Sequence, residues 1–423
     1  MHPSAMRPTA LAVTLLVVAG WSVVMYAAEE AGSAPTKRIA AIVTTYFHNS
    51  HADVIVSRLL QTDTLDGRGR KSPLSLASLY IDQIGENDIG VKLAAEHQVP
   101  VYDSIRKALT LGGERLAVDG VLLIGEHGSY PLSATEQIQY PKRRFFSETL
   151  KVFDESNRVV PVFNDKHMSD NWVDAKWLYD EARKRNIPLM AGSSVPLTWR
   201  RPAADLKPGA NLDRVLAISC GPLEAYGFHT LEMLQAIIER RGAGERGVKS
   251  VQMLTGPAIW EAAARGEFDQ KLLREASSRM EHPWPTDRSL EEYLVKPILF
   301  QLVYNDDLHV SILHVSHQYS AWSIAWQEKS GVIGSTLFWT QEARPLMHFS
   351  YLLQGIEQMV LNGKPTWPAE RTLLTTGVLH SLMVSKQRAG ELVLTPQLAI
   401  EYTTDWTWQE PAAPPPGRPL DQQ

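Results

Sequence analysis

From Arg38 to Ala191, short apolar β-branched runs alternate with stretches of helical spacing, and this alternation does most to narrow the fold. Arg38–Thr45 reads as a strand, Ala52–Gln61 as a helix, Leu74–Asp82 as a strand ending in an acid, and Asn87–His97 as a helix. Val99–Tyr102 is a short strand, Ser104–Leu111 a helix, and Val118–Gly125 (VDGVLLIG) a buried strand that ends in a loop. Val159–Phe163, Asn171–Asn186 and Ile187–Ala191 continue as strand, helix and strand. Strands separated by helices imply crossover units and a parallel sheet, with ligands expected beyond the carboxyl ends of its strands.

The second half follows another rhythm. Asp213–Ser219 reads as a strand and Thr230–Arg241 as a helix. Ile298–Tyr304, His309–Val315, Tyr319–Gln327 and Gly331–Thr340 then read as consecutive strands, with turns at Asn305-Asp306-Asp307 and Lys329-Ser330. Helices Tyr351–Leu361 and Glu370–Lys386 close the pattern. The expectation is an α/β protein with a Rossmann-like, doubly wound parallel sheet over residues 38–195. A C-terminal α+β domain, with a mainly antiparallel open sheet covered by helices on one face, follows over residues 196–404.

The ends are expected to lie outside this fold. Arg7 precedes the uncharged run Leu11–Ala28, so residues 1–28 read as a secretory signal or an uncleaved membrane anchor, with 29–37 as linker. Export to a periplasmic or other extracytoplasmic space is the expectation. Residues 405–423, Pro-rich from Pro411, read as a disordered tail. A net charge of -5 gives no reason to expect nucleic acid or an anionic membrane as partner. The single cysteine, Cys220, excludes an intrachain disulfide and suits a small buried hydrophobe.

The first strand runs into a turn without glycine, IAAIVTTYFHNSH from Ile39 to His51. In dinucleotide-binding folds a G-x-G-x-x-G turn lets the backbone approach a pyrophosphate, which rests on a helix N-terminus. Later segments nevertheless carry a resemblance. AAEHQVPVYDSIRKAL (Ala94–Leu109), VDGVLLIGEHGSYP (Val118–Pro131) and FNDKHMSDNWVDAKWLYDEARKRNIPLMAGSS (Phe163–Ser194) come first; GFHTLEMLQAIIERRG (Gly227–Gly242) and NGKPTWPAERTLLTTGVL (Asn362–Leu379) follow. In order and spacing these resemble the Gfo/Idh/MocA (glucose–fructose oxidoreductase-like) family, from Arg38 to Tyr402. The resemblance implies a Rossmann domain and a second domain whose open sheet walls the substrate site. It also implies a sugar or cyclitol substrate, tightly held NAD or NADP, and a homo-oligomer.

Residue by residue, the carry-over is uneven. Aligning His51 with the histidine that follows the family's glycine turn puts the glycine places on Val43, Thr45 and His48. There β-branched side chains disfavour both the backbone and a close phosphate. NAD or NADP would then bind in an altered mode or not at all. The candidate cofactor-binding residues are Thr44, Thr45, His48, Asp82, Glu126 and His127, with Asp82 matching the acid that takes a ribose 2′-hydroxyl. The family's E-K-P segment appears as Asp165-Lys166-His167, so only the lysine is kept. The resemblance makes Lys166 a stabiliser of an alkoxide and His229 a general acid/base, with Glu232 orienting it. Tyr130, Arg143, Arg144 and His167 are candidate substrate-binding residues, the two arginines lying in YPKRRFF (Tyr140–Phe146).

Plainer readings stand beside these: Lys166 in a surface loop, His229 satisfied at a helix N-terminus, Asp82 solvated, and YPKRRFF a snorkelling basic helix. Glu126, His127, His167 and His229 lack close ligand spacing, so no metal is expected. Three functions remain open. One is an exported oxidoreductase acting on a carbohydrate or cyclitol with NAD(P) binding altered or lost. The second is a non-redox lyase or hydrolase using Lys166, His229 and Glu126, and the third an inactive sugar-binding protein.

Overall fold

The computed structural model describes residues 36–316, 321–341 and 343–413. The apolar run Leu11–Ala28, the linker up to residue 35 and the tail from residue 414 lie outside the described residues.

The alternating half folds into strands β1 (Lys37–Val43), β2 (Leu74–Ile81), β3 (Gly120–Ile124), β4 (Val162–Asp165) and β5 (Leu189–Gly192). They interleave with helices α1 (His51–Leu60), α2 (Gly90–Glu96), α3 (Ile105–Thr110), α4 (Lys142–Ser156) and α5 (Trp172–Lys184). The sheet is parallel throughout, in the order β2-β1-β3-β4-β5. Its strands are apolar on both faces because both faces are covered. Ala40, Ile42, Val121 and Leu123 pack with Phe145, Leu150, Leu178 and other residues of α3–α5. Ile39, Ala41, Val43, Leu122 and Ile124 pack on the opposite face with α1.

The second sheet has eight strands: β6 (Trp199–Arg201), β7 (Leu212–Ser219), β8 (Val248–Thr255), β9 (Ile298–Tyr304), β10 (His309–His314), β11 (Trp322–Glu328), β12 (Ile333–Trp339) and β13 (Val393–Leu394). Their order is β13-β8-β9-β10-β7-β11-β12-β6, and only the β10–β7 pair is parallel. Helices α6 (Leu223–Ile238) and α11 (Ala369–Gln387) cover one face, in a core that includes the buried Cys220. Helices were expected on one face only, yet α7 (Pro257–Ala264), α8 (Gln270–Ser278) and α9 (Leu290–Tyr293) pack on the other. Helix α10 (Met347–Asn362) follows β12 in the chain but packs on the first sheet, where Phe349, Leu352, Leu353, Ile356 and Met359 join the β1 core.

Two expectations shift. α6 begins at Leu223, seven residues before the expected start, so His229 and Glu232 lie in mid-helix rather than in its first turn. Gly227 lowers helical propensity there, but α6 packs closely enough that a Cβ at Gly227 would already touch the Phe300 ring. The expected tail begins at residue 405, yet Trp406 lies 4.5 Å from the Arg371 guanidinium and Trp408 lies 4.6 Å from that of Arg200. The Trp408 indole also donates to the Thr198 carbonyl at 2.9 Å, so packing persists past the boundary.

A buried ion pair ties α11 to α6. Arg371 Nε donates to Glu239 Oε2 at 2.8 Å, and the Tyr402 hydroxyl donates to the same oxygen at 3.0 Å. Both charged side chains are sealed from water. Removing one partner strands the other charge, so Arg371→Met is expected to cost about 3–5 kcal/mol. Chemical denaturation should show that loss, and Arg371→Met/Glu239→Leu should recover a substantial part of it.

Candidate functional site

β1 and β3 are neighbours whose following helices leave in opposite directions, so the crevice above their carboxyl ends is the topological switch point. Loop residues 44–50 line it and are strongly tethered. Thr44 Oγ1 donates to the Glu126 carbonyl and accepts the Glu126 N–H at 3.1 Å, joining the ends of β1 and β3. Val43, Thr45 and His48 all keep negative φ; the left-handed residue of the turn is Asn49, at 63°. Asparagine tolerates that conformation without a glycine.

The N-terminus of α1 is where a pyrophosphate would rest. Ser50 caps it, accepting from the Asp53 N–H at 3.3 Å and from the Phe47 N–H at 3.1 Å. The buried Asp53 carboxylate accepts from Ser57 Oγ at 2.6 Å, from the Asn49 N–H at 2.8 Å and from Arg344 at 2.7 Å. Burial pushes this carboxyl up, but Arg344 and the other donors outweigh it and hold it below its ordinary value. Arg58 clamps the segment carrying Arg344, donating to the Pro345 carbonyl and, at 2.9 Å, to the Leu346 carbonyl. The chain's own anion and its counter-cation thus occupy the usual seat, and these residues do not fit a pyrophosphate there. His48 stays exposed, 3.9 Å from Asp53. Thr45 Oγ1 and His127 Nε2 are buried atoms without hydrogen-bond partners among the described residues.

Asp82 follows β2, where a ribose acid was expected. Its Oδ1 accepts from the Tyr80 hydroxyl at 2.7 Å and from Arg144, and its Oδ2 accepts from the Tyr130 hydroxyl at 2.8 Å. Burial raises its pKa, and these donors more than reverse the effect. Asp82, Tyr130 and Arg144 therefore satisfy one another. Arg143 lies on the outer side of α4, paired with Asp174 and 4.2 Å from the Trp177 ring.

Between these clusters, buried charges converge on Glu126. Lys142 Nζ donates to Glu126 Oε1 at 2.9 Å, to the Asp165 and His167 carbonyls at 2.9 and 2.8 Å, and approaches His167 Nδ1 at 3.2 Å. Lys166 Nζ lies 3.2 Å from Glu126 Oε2. Burial would raise the pKa of Glu126, but the two ammonium groups overcome it and hold the group well below its ordinary value. His51 Nδ1 lies 2.6 Å from Asp165 Oδ2, and its ring meets those of His127 and Phe349. His127 and Lys166, just beyond β3 and β4, both take left-handed backbone, with φ of 65° and 54°. Such conformations cost energy in non-glycine residues and collect at functional sites.

His229 and Glu232 approach from α6. His229 Nδ1 is 2.5 Å from Ser193 Oγ, which accepts the Val195 N–H at 3.0 Å. Burial, then Lys166 and His51, push the imidazole well below its usual pKa, so it is neutral. Glu232 turns aside. It accepts from Thr375 Oγ1 at 2.7 Å and from the Ser193 N–H at 3.3 Å, beside Gly192, where a Cβ would lie 2.4 Å from its Oε2. It braces the end of β5 against α11, and burial raises its pKa.

Lys166, Glu126, His127, His167 and His229 are thus brought to one site, while Asp82, Tyr130, Arg144, Arg143 and Glu232 are engaged elsewhere. Sequence reasoning missed His51, Asp165, Lys142 and Glu224. For Lys142 a signal existed: of the cations in Lys142-Arg143-Arg144, one must face inward on a helix packed against the sheet. No group of three His, Cys, Asp or Glu side chains among the described residues has metal-holding geometry.

No protein-family model matches the sequence, and no curated protein does. Solved structures match the fold. GenD2 from gentamicin A biosynthesis, solved in complex with NAD, overlays with a TM-score of 0.54 at 12% identity over 86% of this chain and 97% of its own. A probable dehydrogenase from Thermotoga maritima gives 0.52 at 13% identity, covering 85% and 99%. A myo-inositol dehydrogenase from Corynebacterium glutamicum gives 0.51 at 11% identity, covering 85% and 98%. The architecture is that of the Gfo/Idh/MocA-type dehydrogenases.

Burial holds three further imidazoles neutral, with Lys142 adding to the effect at His167, Arg58 at His348 and His51 at His127. His167 and His348 are lowered to about 3 and His127 to about 4, against 6.5 when exposed. Below pH 6.5 the unfolded chain therefore binds protons that the folded chain refuses, and stability falls as pH falls. Glu224, raised to about 7, and Glu232, also raised, act in the opposite sense, but as two groups against five lowered imidazoles, since His229 and His380 are lowered as well. Tm should decline steadily from pH 6.5 to pH 4, and His348→Leu should flatten that decline. Thermal melts across a pH series test both.

Proposed function

We propose that the protein is a non-redox acid–base enzyme acting on a hydroxyl-rich small molecule such as a sugar or cyclitol, without a dinucleotide on α1. The observation that carries this reading is the Asp53–Arg344 pair at the α1 N-terminus, beside a buried Lys166–Glu126–His51 constellation. Asp165 beside Nδ1 keeps a proton on that nitrogen of His51 and leaves Nε2 as the basic face. Once His51 takes a substrate proton, Asp165 stabilises the imidazolium, as the acid does in a Ser-His-Asp triad. The Lys166 ammonium offsets negative charge that develops on the substrate oxygen. Ser193, already accepting from Val195, directs its own proton to His229 Nδ1, so His229 presents Nε2–H as a neutral donor to the same oxygen.

A second reading, a dehydrogenase, draws support from the fold shared with GenD2 and from the retained Lys166 and His229. It requires NAD(P) to lie away from the α1 N-terminus. Export of the protein, expected from Leu11–Ala28, suits the first reading better, because cytoplasmic dinucleotide is absent outside the cell membrane.

The two readings separate in heavy water. Incubated with a panel of sugars, uronic acids and cyclitols in D2O without dinucleotide, the protein should introduce carbon-bound deuterium, or eliminate water, in one class of compound. Mass spectrometry reads either change. Lys166→Ala and His51→Asn should each lower the rate by on the order of a hundredfold or more with the melt unchanged. NAD+ and NADP+ should leave Tm where it is. Conversion that occurs only with added NAD(P), together with a rise in Tm, would establish the dehydrogenase instead.

A further inference from the structure

The groups around Glu126 are closed to solvent: the side chains of Lys142, Glu126 and His167 are 1%, 3% and 3% exposed, and that of Lys166 is 7% exposed. A Lys166 ammonium that yields a proton to the substrate oxygen it faces must regain one from water, and a path of titratable groups leads outward from it. From Lys166 it passes to Glu126 at 3.2 Å and to Lys142 at 2.9 Å, then to His167 Nδ1 at 3.2 Å. Beyond the far nitrogen of that ring, Nε2, lies Glu224 Oε1 at 3.9 Å. Glu224, in the first turn of α6, is the group on this path with the greatest exposure, 15% of its side chain.

We propose that Glu224 is the proton port of the site, passing protons between solvent and the buried lysine–glutamate centre through the imidazole of His167. The Lys142 ammonium, which can donate but not accept, faces Nδ1 at 3.2 Å, so His167 carries its proton on Nε2, facing Glu224. In an outward transfer the Glu224 carboxylate accepts the Nε2 proton across the 3.9 Å gap through one water, while Nδ1 takes one from the Lys142 ammonium. Lys142 is left neutral and the imidazole changes tautomer. Lys166, through Glu126, returns a proton to Lys142. An inward transfer runs the same moves backwards and restores the tautomer, so the ring never becomes a buried cation.

The surroundings suit a port. The Ile138 N–H donates to both oxygens of Glu224, at 3.3 and 3.2 Å, and aims the carboxyl. Burial raises its pKa to about 7, with Glu126 and Asp170 adding to the rise and the Ile138 N–H and Lys142 opposing it, so both protonation states are populated near neutrality. Tyr140 and Phe228 flank His167, their rings 6.5 and 5.5 Å from it, and hold the imidazole in place.

The inference rests on the acid–base reading for its purpose, but its test does not need a substrate. In protein carrying isotope-labelled histidine, the Nε2–H of His167 is assigned by its loss in His167→Gln, and its exchange with water is followed by NMR. The wild-type rate should rise with pH as Glu224 ionises near pH 7 and then level off. Glu224→Gln, which keeps an acceptor for Ile138, should slow exchange by on the order of a hundredfold and remove the levelling. Exchange that is unchanged or faster in Glu224→Gln, or first-order in hydroxide throughout in the wild type, overturns the proposal. A normal exchange result with no deuterium incorporated into any sugar would leave the port standing and remove the acid–base reading instead.

Discussion

A carboxylate without water stays ionised only where cations surround it, and Glu126 is the point on which this molecule is arranged. Burying such an ion costs several kcal/mol, which the field of two ammonium groups must offset. Lys142 arrives from α4 and Lys166 from the end of β4, while Thr44 fixes the Glu126 backbone to the end of β1. Three crossover units therefore share one electrostatic centre. Lys142 also takes two carbonyls from the β4 turn, which holds Lys166 in its left-handed conformation and Asp165 against His51. The reactive-looking groups and the groups that keep the sheet edge together are the same groups.

The same logic explains the glycine-free corner. A helix N-terminus attracts negative charge, and in a nucleotide-binding fold the ligand brings it. Here Asp53 supplies it from within and Arg344 reaches across from the approach to α10 to neutralise it. Once the anion is internal, glycine has no task at Val43, Thr45 or His48, and bulk is welcome. Tyr46 fills the space beneath, so close to α2 that a Cβ on Gly90 would lie 2.6 Å from its ring.

Much of the architecture was legible because it is written in local periodicity: β1 to β5, the hairpins of the second sheet and α11 all fall near their expected places. The region from Val248 to Tyr293 was not, because its helices are short and all three separate its one strand, β8, from its partner β9. Lys166, His167, Glu126 and His229, which the structure brings together, each stand in a segment with a recognisable order. His51 and Asp165 are 114 residues apart and become partners only through the crossover of the sheet. Glu224 was hidden because α6 was expected to begin after it, and the joining of Asp82 to Tyr130 and Arg144 was not legible because those partners come from elements that sequence order does not bring near it.

The placement of α10 has a consequence for how the chain is made. The first sheet begins at Lys37, yet one of its faces is completed by Phe349, Leu352, Ile356 and Met359, some three hundred residues later. Domains built of consecutive sequence can fold as they emerge from the ribosome. This one cannot finish its N-terminal core until nearly the whole polypeptide exists. A nascent chain with β1 to β5 and α1 leaves the part of that apolar face that α10 covers open until α10 is made. That delay keeps an aggregation-prone apolar strip uncovered for most of the chain's synthesis.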